Sequence, residues 1–298
     1  MTSEFGSVIT AMVTPFDKQG GVDYNEASQL ARYLLENGTD TVLLAGTTGE
    51  SPTLTHKEEY QLFKTIREAL NGKARIMAGA GSNSTATAIQ STKEAEELGM
   101  DAVLQVVPYY NKPTQEGLYQ HFKAVAEHTR LPVLLYNIPG RTSRNLEPET
   151  VARLAEIPNI IGIKEASGNL EQMEKIRGLT PSHFMIYSGD DAFTLPFIER
   201  GARGVVSVAS QCAGKKIKEM ITCFNKGQKE RAYALNNELA SLFKVLFITT
   251  NPIPVKAALN MMGFHVGIPR LPLLEATDEE KAQIQSVLEQ CGIIEKKV

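Results

Sequence analysis

One lysine interrupts an otherwise apolar run, Ile160-Ile161-Gly162-Ile163-Lys164-Glu165. The isoleucines read as a buried parallel strand, and Ser167-Gly168-Asn169 closes it in favour of a helix. A lysine on such a strand reaches a charged partner, extends to water, or loses its proton by desolvation. The third fate makes it a nucleophile for carbonyl carbon. The competing explanation is an ordinary surface lysine at a strand end, since lysine is seldom buried.

Further polar groups fall at the ends of other apolar runs: Thr47, Thr48 and Gly49; Tyr109 and Tyr110; Tyr136 and Arg141; and Gly189-Asp190. Singly, each has a bland explanation as a turn or as packing with a wet hydroxyl. Jointly they suit imine formation on a 2-oxo acid. Lys164 would attack the ketone, and the Schiff base would act as an electron sink for an enamine. Hydroxyls of Thr47 and Thr48 with nearby backbone N–H groups could receive the substrate carboxylate. A tyrosine close to the lysine could shuttle protons, and Arg141 offers a bidentate fork for a carboxylate on a second substrate.

These groups need elements to position them. Residues 7–16, 41–46, 75–81, 102–109, 132–138, 160–165, 184–188 and 204–208 read as strands, with amphipathic helical segments between them. Asp23 with Glu26, Thr55 with Glu58 and Thr277 with Glu280 read as capping boxes. Eight strand–helix units predict an α/β fold, a (β/α)₈ TIM barrel, whose active site gathers at the C-terminal ends of the strands. A doubly wound open sheet is the alternative, but no Gly-x-Gly-x-x-Gly turn follows the first strand. After residue 226 only helices are expected. The chain thus divides into a barrel carrying the active site (residues 1–226) and a C-terminal helical appendage (residues 227–298), packed beside the barrel or making subunit contacts.

Composition narrows the function classes. The 298 residues can bury a large core, and 31 basic against 34 acidic residues leave a net charge of −3. No field of one sign points to nucleic acid or an anionic membrane. The Lys215-Lys216-Ile217-Lys218 and Lys296-Lys297 clusters read as solvated faces. The N-terminal Met1-Thr2-Ser3-Glu4 lacks signal-peptide character, and no apolar run approaches the length of a membrane span. Cys212, Cys223 and Cys291 are odd in number and widely spaced, which favours the cytoplasm and no structural zinc. His56, His121, His128, His183 and His265 form no metal-binding spacing, so no metal is expected.

Three motifs carry a resemblance: Gly46-Thr47-Thr48-Gly49-Glu50-Ser51, Tyr136-Asn137-Ile138-Pro139-Gly140-Arg141-Thr142 and Gly162-Ile163-Lys164-Glu165-Ala166-Ser167. In this order and spacing they resemble the dihydrodipicolinate synthase family, within the pyruvate-dependent lyases and aldolases that include N-acetylneuraminate lyase. The resemblance runs from Val8 into the helical C-terminus. It implies a lyase that condenses pyruvate with L-aspartate 4-semialdehyde to 4-hydroxy-tetrahydrodipicolinate, for diaminopimelate and lysine biosynthesis, with no cofactor beyond the substrate imine. It further implies Lys164 as the Schiff-base residue, and Tyr136 as proton donor and acceptor, relayed through Thr47 and Tyr110. Tyr110 would reach across from a neighbouring subunit, in a dimer or a dimer of dimers. Thr48 and the Val206 backbone would contact pyruvate, Arg141 the semialdehyde carboxylate, and Gly189 would line the pocket.

Ser51, His56, Asn83 and Tyr109 match a regulatory lysine site of such relatives. Glu59 and Thr87, however, stand where those relatives tend to have histidine and glutamate. Thr87 supplies no carboxylate for an ammonium group, so weak or absent lysine feedback is expected. Rival readings are a sister aldolase acting on sialic acid or a 2-keto-3-deoxy sugar acid, which Arg141 disfavours, and a metal-dependent aldolase, which the scattered histidines disfavour. A non-catalytic barrel that binds a 2-oxo acid would need neither nucleophile nor relay.

Overall fold

Eight short runs of aliphatic and β-branched residues form the strands β1 (Val8–Ala11), β2 (Thr41–Leu44), β3 (Arg75–Gly79), β4 (Ala102–Val106), β5 (Val133–Asn137), β6 (Ile160–Glu165), β7 (Met185–Ser188) and β8 (Gly204–Ser207). In this computed structural model, which describes residues 5–296, they pair in parallel in chain order, and β8 closes on β1 to complete the barrel. Every strand except β6 and β7 ends earlier than the sequence predicts, β1 by the most. Pro108 has no N–H to extend the ladder beyond β4, and after β1 the Val13 N–H donates instead to Gln211 Oε1 at 3.0 Å. Residues 1–4 and 297–298 lie outside the described chain, and with them the reading of the N-terminus and part of the Lys296-Lys297 cluster.

Between and after the strands run α1 (Tyr24–Glu36), α2 (His56–Leu70), α3 (Thr85–Glu97), α4 (Gln115–Glu127), α5 (Pro139–Thr142), α6 (Pro148–Leu154), α7 (Leu170–Leu179), α8 (Thr194–Glu199), α9 (Ser210–Asn225), α10 (Lys229–Val245), α11 (Ile253–Met261) and α12 (Asp278–Gln290). The capping boxes at Thr55 and Thr277 form in full. The one expected at α1 forms only by half. Asp23 accepts from the Glu26 N–H, but the Glu26 carboxylate is buried and accepts from the His265 backbone N–H at 2.7 Å. A distant donor has taken the group that the local pattern assigned to the cap.

Two apolar layers result. Ile9, Leu43, Met77, Leu104, Leu134, Tyr136, Ile161, Tyr187 and Val206 fill the barrel interior. Alternate residues such as Val42, Ile76, Val103, Ile163 and Ile186 join the larger core beneath the helices. That outer core is continuous with Leu235, Leu239 and Leu242 of α10 and with Ile284 and Leu288 of α12. The C-terminal region also returns to the barrel mouth. Phe16 N–H donates to Val266 O, and Gly267 lies so close to Phe16 O that an added Cβ would stand 2.1 Å from it.

A register shift in β6 decides which way Lys164 points. Val133 pairs with Ile160, but the next residue, Leu134, pairs with Gly162. In an unbroken strand, residues of one parity share a face. Here Ile161 faces the barrel interior and Ile163 the outer core. The bulge has advanced the alternation by one residue, turning Lys164 inward and Glu165 outward. Glu165 is fully buried and accepts hydrogen bonds from Asn137 Nδ2 (3.0 Å), Gln172 Nε2 (3.1 Å) and Ser167 N (2.6 Å), which secure the strand end against α7.

Candidate active site

Lys164 and Tyr136 are register partners on β6 and β5, so the ladder itself places their side chains next to each other on the inner face. The lysine is 6% exposed, and its Nζ lies 4.1 Å from the centroid of the Tyr136 ring. Of the fates open to a lysine on a buried strand, ion pairing is not the one taken. Among the described residues no carboxylate pairs with Lys164. Gly189 follows β7 and makes room for it: a Cβ there would come within 3.1 Å of Lys164 Cε and 2.5 Å of Ala166 Cβ.

Beside Tyr136 a mainly apolar pocket of about 320 Å³ opens at the C-terminal ends of the strands, lined by Thr47, Tyr109, Arg141 and Ser51, among others. That volume suits a small ligand. Thr47 forms part of its wall, whereas Thr48 is buried and its hydroxyl accepts from Asn251 Nδ2 at 2.9 Å. Arg141 lies at the rim on the short helix α5, with Nη2 donating to Asn251 O at 3.1 Å. Val206 is buried in the barrel interior beside Ile9. The chain just after it is held by Asp191, which accepts from the Ser207 hydroxyl and from the backbone N–H groups of Val208 (3.1 Å) and Ala209 (3.0 Å). Burial pushes the Asp191 carboxyl up to about 6 despite these donors.

Some residues singled out in the sequence lie elsewhere. Tyr110 is 88% exposed, does not line the pocket, and takes a left-handed backbone conformation (φ 73°). His56 is exposed at the start of α2 and Asn83 lies outside the pocket. Ser51 and Tyr109, by contrast, share the pocket with Thr47 and Tyr136. The Ser51 hydroxyl donates to Glu59 Oε1 at 2.8 Å, and burial raises the Glu59 carboxyl to about 7 against that bond's opposing effect. Thr87 sits in the first turn of α3, its N–H donating to the Ser84 cap. Among the described residues, no group of three or more His, Cys, Asp or Glu side chains could hold a metal ion, and no helix is long and apolar enough to cross a membrane. Cys212, Cys223 and Cys291 are free and buried.

Sequence reading assigned the site to the barrel, but Thr250, Asn251, Pro252, Pro272 and Leu273 also line the pocket. The helical C-terminus therefore supplies part of the site's wall and is more than an appendage beside the barrel. An Asn-Pro dipeptide such as Asn251-Pro252 is a local turn signal. Nothing local in it announces that the turn meets Thr48 and Arg141.

Comparisons with known proteins agree with this fold. The family model described as the dihydrodipicolinate synthetase family matches residues 4–291. A 4-hydroxy-tetrahydrodipicolinate synthase of Thermosynechococcus vestitus is 55% identical over 293 residues, covering 98% of this chain and 99% of that protein. One from Desulforudis audaxviator is also 55% identical, over 99% of this chain and all of the relative. Among solved structures, the dihydrodipicolinate synthase of Cyanidioschyzon merolae with lysine bound superposes with a TM-score of 0.96 at 51% identity, covering 97% of this chain and 99% of that one. A structure described as the first monomeric dihydrodipicolinate synthase variant matches with a TM-score of 0.95 at 44% identity, over 97% and 98% of the two chains. The chain belongs to the dihydrodipicolinate synthetase family.

Proposed function

We propose that this protein is a lyase that condenses pyruvate with L-aspartate 4-semialdehyde through a Schiff base on Lys164, giving 4-hydroxy-tetrahydrodipicolinate for diaminopimelate and lysine biosynthesis. The observation that carries the mechanism is the register pair of Lys164 and Tyr136: a buried lysine with no counter-ion among the described residues, packed on a tyrosine that lines a pocket. The lysine amine adds to the pyruvate ketone, water leaves, and the imine draws electrons from the methyl carbon as it loses a proton. Tyr136, with Thr47 and Tyr110, moves the protons. Thr48 and the Val206 backbone hold the pyruvate carboxylate, Gly189 leaves room for the reacting carbon, and Arg141 receives the carboxylate of the semialdehyde. The substrate imine takes the place of a cofactor.

Tyr110 completes this relay only from a second copy of the chain, because its own side chain points outward. The working unit is accordingly a dimer or a dimer of dimers. The division at residues 226 and 227 is then one of roles, with the barrel carrying the chemistry and the helical region closing its mouth. Ser51, His56, Asn83 and Tyr109 would contribute to a regulatory lysine site that responds weakly or not at all, since Glu59 and Thr87 replace its usual polar partners. Half-inhibition by sub-millimolar L-lysine would overturn that part of the reading.

The test is chemical trapping. Incubation with pyruvate and borohydride, followed by peptide mapping, should give a pyruvate-dependent mass gain on Lys164, and Lys164→Ala should lose both the adduct and at least about a thousandfold in turnover. An adduct on another lysine, or none, would overturn the mechanism. Turnover with N-acetylmannosamine but not the semialdehyde would move the protein to the sister aldolases.

A further inference from the structure

The turn that carries Thr47 and Thr48 ends in a buried charge that the chemistry above does not use. Glu50 is 3% exposed and adopts a left-handed backbone conformation (φ 56°, ψ 34°), uncommon for a residue with a side chain. Such conformations persist where the surroundings over-determine them. Its Oε1 lies 2.7 Å from Lys256 Nζ, with both side chains at most 2% exposed, and its Oε2 accepts from the Arg270 backbone N–H at 2.9 Å. Lys256 Nζ packs 3.9 Å from the Phe16 ring centroid. Arg270 continues outward to Glu58 (2.5 Å), the Thr53 carbonyl (2.7 Å) and the Gly20 carbonyl (2.8 Å).

A buried ion pair contributes little more stability than apolar residues of the same shape, so stability alone is a weak reason to build one. What it does fix is geometry. Lys256 lies on α11, just after Asn251, and Asn251 bonds both the Thr48 hydroxyl and Arg141. We propose that the Glu50–Lys256 pair is a positioning element of the active site, locking α11 to the threonine turn so that Thr47 stays at the pocket wall and Thr48 stays on Asn251. This inference rests on the pyruvate-imine reading.

The experiment measures, on folded protein, the pyruvate concentration that gives half-maximal borohydride trapping on Lys164. Lys256→Met should raise it about tenfold, because a small displacement of a binding group is enough to do so. The double variant Glu50→Gln with Lys256→Met, which leaves no unpaired buried charge, should show the same shift. Lys229→Met, at an exposed pair with Glu199, serves as control and should titrate like wild type. A purely structural pair would lower the denaturation midpoint without moving the pyruvate titration, and a folded double variant behaving so would overturn the proposal. Failure of both variants to fold would also overturn it, by assigning the pair to folding. Absence of a Lys164 adduct in the wild type would overturn the imine reading itself, a separate outcome.

Discussion

The floor and the mouth of this pocket are built by different means. At the floor, Tyr136 lines the pocket and Lys164 is set beside it by main-chain pairing of adjacent strands, and a one-residue bulge in β6 chooses the lysine's face. At the mouth, Thr48, Asn251 and Arg141 are brought together by side-chain hydrogen bonds spanning 203 and 110 residues of sequence. The barrel supplies a rigid place for the covalent step, common to any reaction that begins with a lysine imine. In the proposed function, specificity for the second substrate belongs to the mouth, where a single guanidinium and a returning loop can be altered without disturbing the ladder.

The sharpest way to break this contrast is at the bulge. Gly162→Ala would place a Cβ 2.2 Å from the Met185 carbonyl oxygen, a backbone atom that cannot move aside without parting β6 from β7. We expect a loss of about 3 kcal/mol or more in urea denaturation. The pyruvate adduct should diminish even in the folded fraction, since the register that presents Lys164 is disturbed. Unchanged stability and trapping would mean that the floor is not set by the ladder.

Arg141→Gln sharpens the other half. Removing a charge-assisted contact of about 1.5–3 kcal/mol should raise KM for the semialdehyde by about 10- to 100-fold. Pyruvate trapping on Lys164 should stay within about twofold. Equal losses for both substrates would show that floor and mouth are not separable.

The smallest effect lies at the outer edge of the mouth, where burial raises the Glu59 carboxyl from 4.5 to about 7. A raised carboxylate pKa means that the folded state holds the proton more tightly than the unfolded one. Stability is then lost as pH rises from 4.5 through 7. The difference between wild type and Glu59→Gln should shift by about 1–2 kcal/mol in favour of the variant over that range, less than the full linkage because the side chain keeps some contact with water. Denaturation midpoints of both proteins at pH 5 and pH 8 measure it.

Local pattern along the chain is enough to set the alternation of eight strands with amphipathic helices. It also sets Lys164 and Tyr136 at strand ends and Thr47 and Arg141 in the segments just beyond them, because hydrophobic period, caps and turn residues are encoded within a few residues of one another. Long-range packing settles the rest. The capping partner expected at Glu26 went to His265, Tyr110 turned outward, and Thr48 turned to Asn251. Glu50, part of a motif legible from the start, acquired its partners Lys256 and Arg270 more than 200 positions away. No local pattern distinguishes a carboxylate that will meet water from one that will meet a lysine returning from the far end of the chain. That choice is made by packing, when burial leaves a charge no partner but the one the fold delivers.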